Sequence, residues 1–161
     1  CGSSLGSSSS ATARAPGCIV TMGAAGGNHA DLVPGSIYHV SQAVETDRRD
    51  FKTGDPVYHQ PDVMAGFSCL RVATCDNPVI GPAERRRTKV WAELADMEGA
   101  AVIQAAKQFQ TPCFLFKFVS DTPAHTSGQE IVAHIRRYRN SLFDFFMSAV
   151  LPMLRQKNLR A

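Results

Sequence analysis

The stretch CFLFKFVSDTP, residues 113–123, says most about the fold of this chain. Residues 113–119 are almost wholly apolar, which predicts a strand that other structure covers on both faces. The polar residues SDTP follow at once and predict the end of that strand. A strand buried on both faces is typical of a sheet that lies between helices.

Strands and helices alternate along the rest of the chain. The β-branched run CIVTM (18–22) predicts a buried strand that leads into a glycine-rich turn, GAAGGN (23–28). The other predicted elements are strands over 36–46 and 69–74, a long loop over 48–66, and helices starting at Pro82, over 97–109, and from Glu130 to about Leu154. This order predicts an α/β fold with a largely parallel sheet, in which the strand at 36–46 can take an antiparallel neighbour.

The composition narrows the class of protein. The 161 residues, 44% of them hydrophobic, suffice for one domain with a sizeable core, so we expect a single domain over residues 1–161. A net charge of +3 gives no strong attraction to nucleic acid or to a membrane, which favours small-molecule partners. No apolar run approaches the ~20 residues of a membrane span, and no signal-peptide pattern opens the chain. Because the five cysteines form no C-x-x-C pair, a reducing compartment fits best, and we expect a soluble cytoplasmic protein.

Ligands of open α/β sheets bind beyond the carboxyl ends of the strands, and three such places carry small or polar residues. They are GAAGG (23–27), CDNPVI (75–80) and SDTP (120–123). The glycines let backbone amides approach a ligand, although they match neither a dinucleotide fingerprint nor a P-loop. Asp121 lies at the rim of an apolar region that favours the neutral acid, so it could donate a proton near neutral pH. Capping of the following turn, with help from Ser120, is an equally good interpretation.

The stretch LADMEGAAV (94–102) places two acids around Met97 at the head of an alanine-rich run. Taken alone, Asp96 as N-cap and Glu98 in the first helical turn are what a helix dipole favours. Substrate handling by these acids is the alternative.

The remaining charged residues point to no further site. No two histidines stand at the i, i+4 spacing of a helical metal pair, so we propose no metal site and expect scattered surface side chains at His29, His39, His59, His125 and His134. The basic run 85–87 and the tail 155–160 are most simply solvated faces.

Taken together and in this order, TMGAAGG, LADMEGAAV and FKFVSDTP resemble motifs of the nucleoside phosphorylase and nucleosidase superfamily. The resemblance is closest to methylthioadenosine/S-adenosylhomocysteine nucleosidases and runs from about Cys18 to the end of the terminal helix. The stretch VETDRRDF (44–51) also resembles a loop of that branch. The resemblance implies a three-layer fold with a central mixed, mostly parallel sheet flanked by helices, without the N-terminal part that family members usually have.

The resemblance also implies roles for single residues. Glu98 would hold the ribose hydroxyls and Asp121 would protonate the purine at N7. The other implied substrate-binding residues are Met97 beneath the ribose, Ala24, Ala25 and Gly26 on the side of the sugar and the attacking group, Val79 along the base, and Ser120, which would steady Asp121. Because CDNPVI has no aromatic residue, the chain departs from the base-stacking position that the family often shows.

The implied function is cleavage of the N-glycosidic bond of a purine nucleoside similar to methylthioadenosine, with water as nucleophile. A phosphorylase, in which inorganic phosphate is the co-substrate, and a non-catalytic nucleoside-binding module are the alternatives. The resemblance implies no other cofactor, no nucleic-acid or membrane partner, and a homo-oligomer.

Overall fold

The computed structural model describes residues 16–157. Residues 1–15 and 158–161 lie outside the described part, and so do Cys1 and the end of the basic tail predicted over 155–160. The described elements are β1 (Ile19–Gly27), β2 (Ile37–Arg49), β3 (Pro56–His59), β4 (Cys69–Thr74), α1 (Pro82–Thr88), β5 (Leu94–Asp96), α2 (Gly99–Gln108), β6 (Cys113–Asp121), α3 (Gly128–Phe145), a π-helical turn (Phe146–Val150) and α4 (Leu151–Gln156). None of the helices in this part is long and apolar enough to cross a membrane.

The described strands form one mixed sheet in the order β3-β2-β4-β5-β1-β6. The longest pairings, β1 with β6 and β2 with β4, are parallel, whereas β2 with β3 and β1 with β5 are antiparallel. The first residues of β2 also pair with β6, with Ile37 opposite Phe118, so the sheet closes on itself. The predicted mixed, mostly parallel sheet is confirmed, with closure as an added feature.

Strand β6 supplies side chains to both faces of the sheet. Leu115 and Val119 pack into the cluster that includes Ile103 of α2. Phe114 and Phe116 pack on the other face into the cluster that includes Leu154 of α4. The apolar run predicted to be a strand covered on both faces therefore lies in the middle layer of the fold, with helices packed on both faces of the sheet.

The predicted glycine turn at 23–28 is wrong, because β1 continues through Gly27. Its residues stay paired with β6, from Ile19 opposite Cys113 to Gly26 opposite Asp121, with one irregularity between Ala25 and Gly26. Glycine in a strand often marks a place where another group approaches the backbone closely.

Two further boundaries differ from the prediction. The predicted loop over 48–66 contains the short strand β3, which pairs with β2 through Ala43 and His59. The acid Asp96 ends strand β5 rather than capping a helix, and the N-cap residue of α2 is Glu98. A strand of three residues is too short to show a period in the sequence.

The predicted C-terminal helix is present but interrupted. A π-helical turn separates α3 from α4, and Pro152 lies in the first turn of α4. Proline has no N–H, and its ring clashes with the carbonyl four residues earlier, so a regular α-helix cannot run through this point without adjustment. The π-helical turn provides that adjustment.

Candidate active site

The strand ends that the sequence singled out meet at one cavity of about 370 Å³. The ends of β1, β5 and β6 form one side of it. All eight predicted site residues line this cavity: Ala24, Ala25, Gly26, Val79, Met97, Glu98, Ser120 and Asp121. Residues distant in sequence are thus brought together as expected for the carboxyl ends of neighbouring strands.

Apart from Asp96, the rest of the cavity lining is apolar. Pro78 and Ile80 come from the segment after β4, and Ile131, Val132 and Ile135 come from α3. Carboxylates therefore concentrate on the strand side and aliphatic side chains on the helix side. Such a combination of apolar walls with a few convergent polar groups is typical of small-molecule sites.

Asp121 is the last residue of β6 and is only 3% exposed. Its Oδ1 lies 2.5 Å from the Ser120 hydroxyl, as the expected contact between the two residues requires. Its Oδ2 accepts a hydrogen bond from Nη2 of Arg85, which forms a buried ion pair. Both oxygens of this carboxyl group are therefore engaged by neighbours.

Arg85 shows that the predicted solvated face over 85–87 is wrong for its first residue. Its side chain is 2% exposed, whereas Arg86 and Arg87 are exposed. Besides Asp121, Arg85 donates from Nη1 to the Gly27 carbonyl at 2.5 Å and from Nε to the Ile80 carbonyl at 3.3 Å. A carboxylate from a distant strand thus decides the burial of this arginine, and a pattern of neighbouring charges cannot reveal such a partner.

Glu98 and Asp96 have different surroundings. The side chain of Glu98 is 67% exposed, and its Oε2 lies 3.5 Å from Nζ of Lys117. Asp96 is buried, lies 2.8 Å from Lys117 Nζ, and accepts hydrogen bonds from the Thr74 hydroxyl and the Gly99 N–H. Asp96 thus accepts the first N–H of α2 from the end of a strand, while the largely exposed side chain of Glu98 lines the cavity.

Sequence reasoning missed Lys117, which is 3% exposed within β6. A buried ammonium is unstable without a partner, so a lysine inside an apolar strand signals a nearby acid. The partner here is the acid pair of LADMEGAAV. Lys117 thereby links β6 to the start of α2.

Glycines make room for these charged groups. A Cβ at Gly26 would lie 3.3 Å from both Arg85 Nη1 and Asp121 Oδ2, and a Cβ at Gly99 would lie 2.7 Å from Asp96 Oδ2. A Cβ at Gly23 would lie 3.5 Å from Lys117 Nζ, an ordinary contact distance. The glycines of the site thus give space to buried ion pairs rather than forming a turn.

The predicted surface location of the histidines is wrong for His39 and His59, which are buried. His39 Nδ1 donates to the Leu115 carbonyl at 2.8 Å, so Nε2 is the acceptor for the Met64 N–H at 3.0 Å. Burial lowers the pKa of His39, and the bond to Leu115 offsets only part of this effect. In the part of the chain that the structure describes, no three His, Cys, Asp or Glu side chains are grouped so that they could hold a metal ion.

The sequence matches the model of the phosphorylase superfamily over residues 67–151, which is more than half of the chain. The chain therefore belongs to the phosphorylase superfamily, and the predicted enzyme class is confirmed. No curated protein matches the sequence significantly.

Solved structures with similar folds come from bacteria and plants. A futalosine hydrolase mutant of Helicobacter pylori is 18% identical with a TM-score of 0.70, and the match covers 83% of this chain and 68% of that one. The 5'-methylthioadenosine/S-adenosylhomocysteine nucleosidase of H. pylori, in complex with butyl-thio-DADMe-Immucillin-A, is 18% identical with a TM-score of 0.69 and the same coverage. The Arabidopsis thaliana 5'-methylthioadenosine nucleosidase is 22% identical with a TM-score of 0.60, and the match covers 83% of this chain and 63% of that one. At these identities the likeness establishes the fold, as predicted.

Proposed function

We propose that this protein cleaves the N-glycosidic bond of a purine nucleoside similar to methylthioadenosine, with water as the attacking group. The observation that carries the proposal is the position of Asp121 and Glu98 on one cavity, one carboxyl group buried and the other exposed. The first suits proton transfer to a base, and the second suits hydrogen bonds to sugar hydroxyls.

The chemistry requires both groups. As the bond between the anomeric carbon and N9 breaks, its electron pair moves to the purine and positive charge develops on the ribose. Asp121 gives its proton to N7, so the base leaves as a neutral molecule. Water then forms the new bond to the anomeric carbon and loses a proton to solvent, and the ionised Asp121 takes up a proton from solvent, which regenerates the acid for the next turnover. Glu98 accepts hydrogen bonds from the ribose hydroxyls, and its negative charge stabilises the developing positive charge.

Ser120 can serve both protonation states of Asp121. Its hydroxyl lies 3.2 Å from the Ala25 carbonyl and 2.5 Å from Asp121 Oδ1. When Asp121 is ionised, the hydroxyl donates to Oδ1. When Oδ1 carries the proton, the hydroxyl accepts from it and donates to Ala25 instead, because a hydroxyl is both donor and acceptor. The same geometry therefore holds the acid before and after proton transfer.

The cavity walls favour an aliphatic contact with the base and an apolar group at the 5' position. Pro78, Val79 and Ile80 form the side that we assign to the base, and Ile131 and Ile135 of α3 offer apolar surface further along the cavity. A methylthio group matches that surface better than a free hydroxyl does. Two of the similar structures support this assignment, since they are named as methylthioadenosine nucleosidases. An aspartate-to-asparagine variant of the H. pylori nucleosidase holds 5'-methylthioadenosine in its active site.

Hydrolysis is favoured over phosphorolysis by the charge of the lining. The described residues that line the cavity include the acids Asp96, Glu98 and Asp121 but no lysine or arginine, and this negative charge disfavours a phosphate ion. Because the chain belongs to the phosphorylase superfamily, a phosphorylase is the alternative, with inorganic phosphate as co-substrate and no other cofactor.

The proposal is tested by incubating the full-length protein with methylthioadenosine, S-adenosylhomocysteine, adenosine and inosine, with and without inorganic phosphate. We expect release of adenine from the thionucleosides at a rate that does not depend on phosphate. Strict dependence on phosphate would identify a phosphorylase. Tight binding of a nucleoside without base release would identify a binding module and overturn the proposed reaction.

The predicted homo-oligomer, the cytoplasmic location and the single domain over residues 1–161 belong to the same proposal. Sedimentation of the purified protein tests the first of these, because an oligomer has a multiple of the mass of one copy, to which these 161 residues contribute 17.4 kDa.

A further inference from the structure

Arg85 joins three parts of the cavity wall through one side chain. Its guanidinium contacts Asp121 at the end of β6, the Gly27 carbonyl at the end of β1, and the Ile80 carbonyl next to the base-side wall. Arginine presents several donors in a rigid planar fork, so these contacts fix the relative positions of their acceptors. Lysine cannot reproduce this pattern, since its donors radiate from one nitrogen.

The helix that carries Arg85 is held so that this side chain points inward. Glu84 accepts hydrogen bonds from the Gly81 and Ile80 N–H groups, which fixes the start of α1. The Thr88 hydroxyl donates to the Glu84 carbonyl and is buried on the same side of α1. Exposed Arg86 shows that the inward position is specific to Arg85.

Burial of the pair is not explained by packing alone. Both side chains are almost fully buried, at 2% and 4% exposure for Arg85 and Asp121. Moving two charged groups out of water costs free energy that the ion pair often fails to recover, so a buried pair is weak support for a stabilising role. Gly26 leaves the space for this pair on the cavity side, which places the ion pair at the site itself.

We propose that Arg85 is a positioning residue for Asp121. The proposal rests on the proposed function, in which Asp121 protonates the base. Arg85 holds Oδ2 of Asp121, so Oδ1 is the oxygen that carries the proton to N7, and the carboxylate left after the transfer forms the ion pair with Arg85. Through Ile80 it also keeps the base-side wall at a fixed distance from the acid. Loss of this fork displaces the acid from N7 and slows bond cleavage more than it weakens nucleoside binding.

The test uses Arg85→Lys, Asp121→Asn and the double variant, with Arg86→Lys as the matched control on the same helix. We expect Arg85→Lys to lower kcat by roughly 10- to 100-fold, the scale of a small misplacement of a catalytic group, with KM within about threefold of the parent value. The control should keep the kcat of the parent. Thermal unfolding of each variant checks that the fold is retained. If Arg85→Lys does not fold, the double variant Arg85→Met with Asp121→Asn, which removes both charges, is compared with Asp121→Asn alone.

The double variant separates positioning from general support of the fold. If Arg85 acts through Asp121, adding Arg85→Lys to Asp121→Asn should lower kcat no further, within about threefold, because coupled residues are not additive. Multiplied losses, or an Arg85→Lys variant with parental kcat, would overturn the proposal. If the parent protein binds nucleoside but releases no base, the proposed function fails. Nucleoside dissociation constants are then compared for the parent, the Arg85 and Asp121 single variants and their double variant. Additive dissociation constants would then also overturn the link between Arg85 and Asp121.

Discussion

Single residues carry the chemistry of this site, and Asp121 is the one on which the proposed reaction depends. Its carboxyl group ends a fully buried strand and is held at both oxygens. An amide at this position keeps the size of the side chain but has no acidic proton to give.

We therefore expect Asp121→Asn to lower kcat by roughly 100-fold or more, the usual contribution of a positioned general acid. The control is Asp144→Asn on the exposed side of α3. Steady-state release of adenine from methylthioadenosine measures both. Parental turnover in the Asp121 variant would remove this residue from the role of acid.

How far the sequence predicts the site differs from residue to residue. Asp121 and Glu98 were proposed as site residues because FKFVSDTP and LADMEGAAV resemble family motifs, whereas the local sequence alone favoured capping of a turn or a helix at least equally. Arg85 could not be predicted, because its burial depends on Asp121, a partner 36 positions away. Lys117 could have been predicted, since a lysine within an apolar run needs an acidic partner nearby. Local sequence patterns cannot reveal contacts between charged residues that are far apart in the sequence.

At the scale of elements, short strands and glycines account for the wrong predictions. Strand β5 has only three residues, too few to show a period, and the sequence pattern predicted no strand there. The glycines of β1 predicted a turn, whereas they leave room for charged side chains from α1 and β6. The long elements β6 and α3 were predicted well because many residues repeat one pattern.

The start of α2 gives a prediction with an unusual sign. Alanine normally stabilises a helix relative to glycine by up to about 1 kcal/mol. At Gly99, however, the added Cβ would lie 2.7 Å from Asp96 Oδ2. We expect Gly99→Ala to lower the free energy of unfolding by about 1–3 kcal/mol, the usual cost of overpacking.

The matched control for this change is Gly128→Ala, since Gly128 is the first residue of α3 as Gly99 is of α2. Nothing lies within 4 Å of a Cβ at Gly128. Urea unfolding should show a neutral or stabilising effect at Gly128 and a loss at Gly99. Equal effects at both sites would contradict the steric explanation.

At the scale of the whole molecule, His39 connects stability to pH. It joins β2 to β6 and to the segment at Met64, and its ring is fully buried among Phe67, Phe114 and Phe116. Burial lowers the pKa of His39 in the folded protein relative to the unfolded chain. Well above about pH 6.5 the ring is neutral in both states and its contribution is constant.

Below that pH the unfolded chain binds a proton that the folded protein resists, so stability falls as the pH decreases. We expect a loss of at most about 1.4 kcal/mol per pH unit from this group, ending below the folded pKa. Urea unfolding between pH 8 and pH 5 should show a smaller slope for His39→Gln than for the parent. The slope of the variant should not vanish, because burial also lowers the pKa of His59. An unchanged slope in His39→Gln would contradict the assignment.

The closure of the sheet limits how copies of this chain can associate. In the part of the chain that the structure describes, β3 alone has a single neighbour in the sheet, and it is a four-residue strand that begins with a proline. Short edge strands and prolines discourage the addition of a further strand from another molecule. Growth of the described sheet from one copy to the next is therefore disfavoured, and we expect the proposed homo-oligomer to form through side-chain surfaces of the described part.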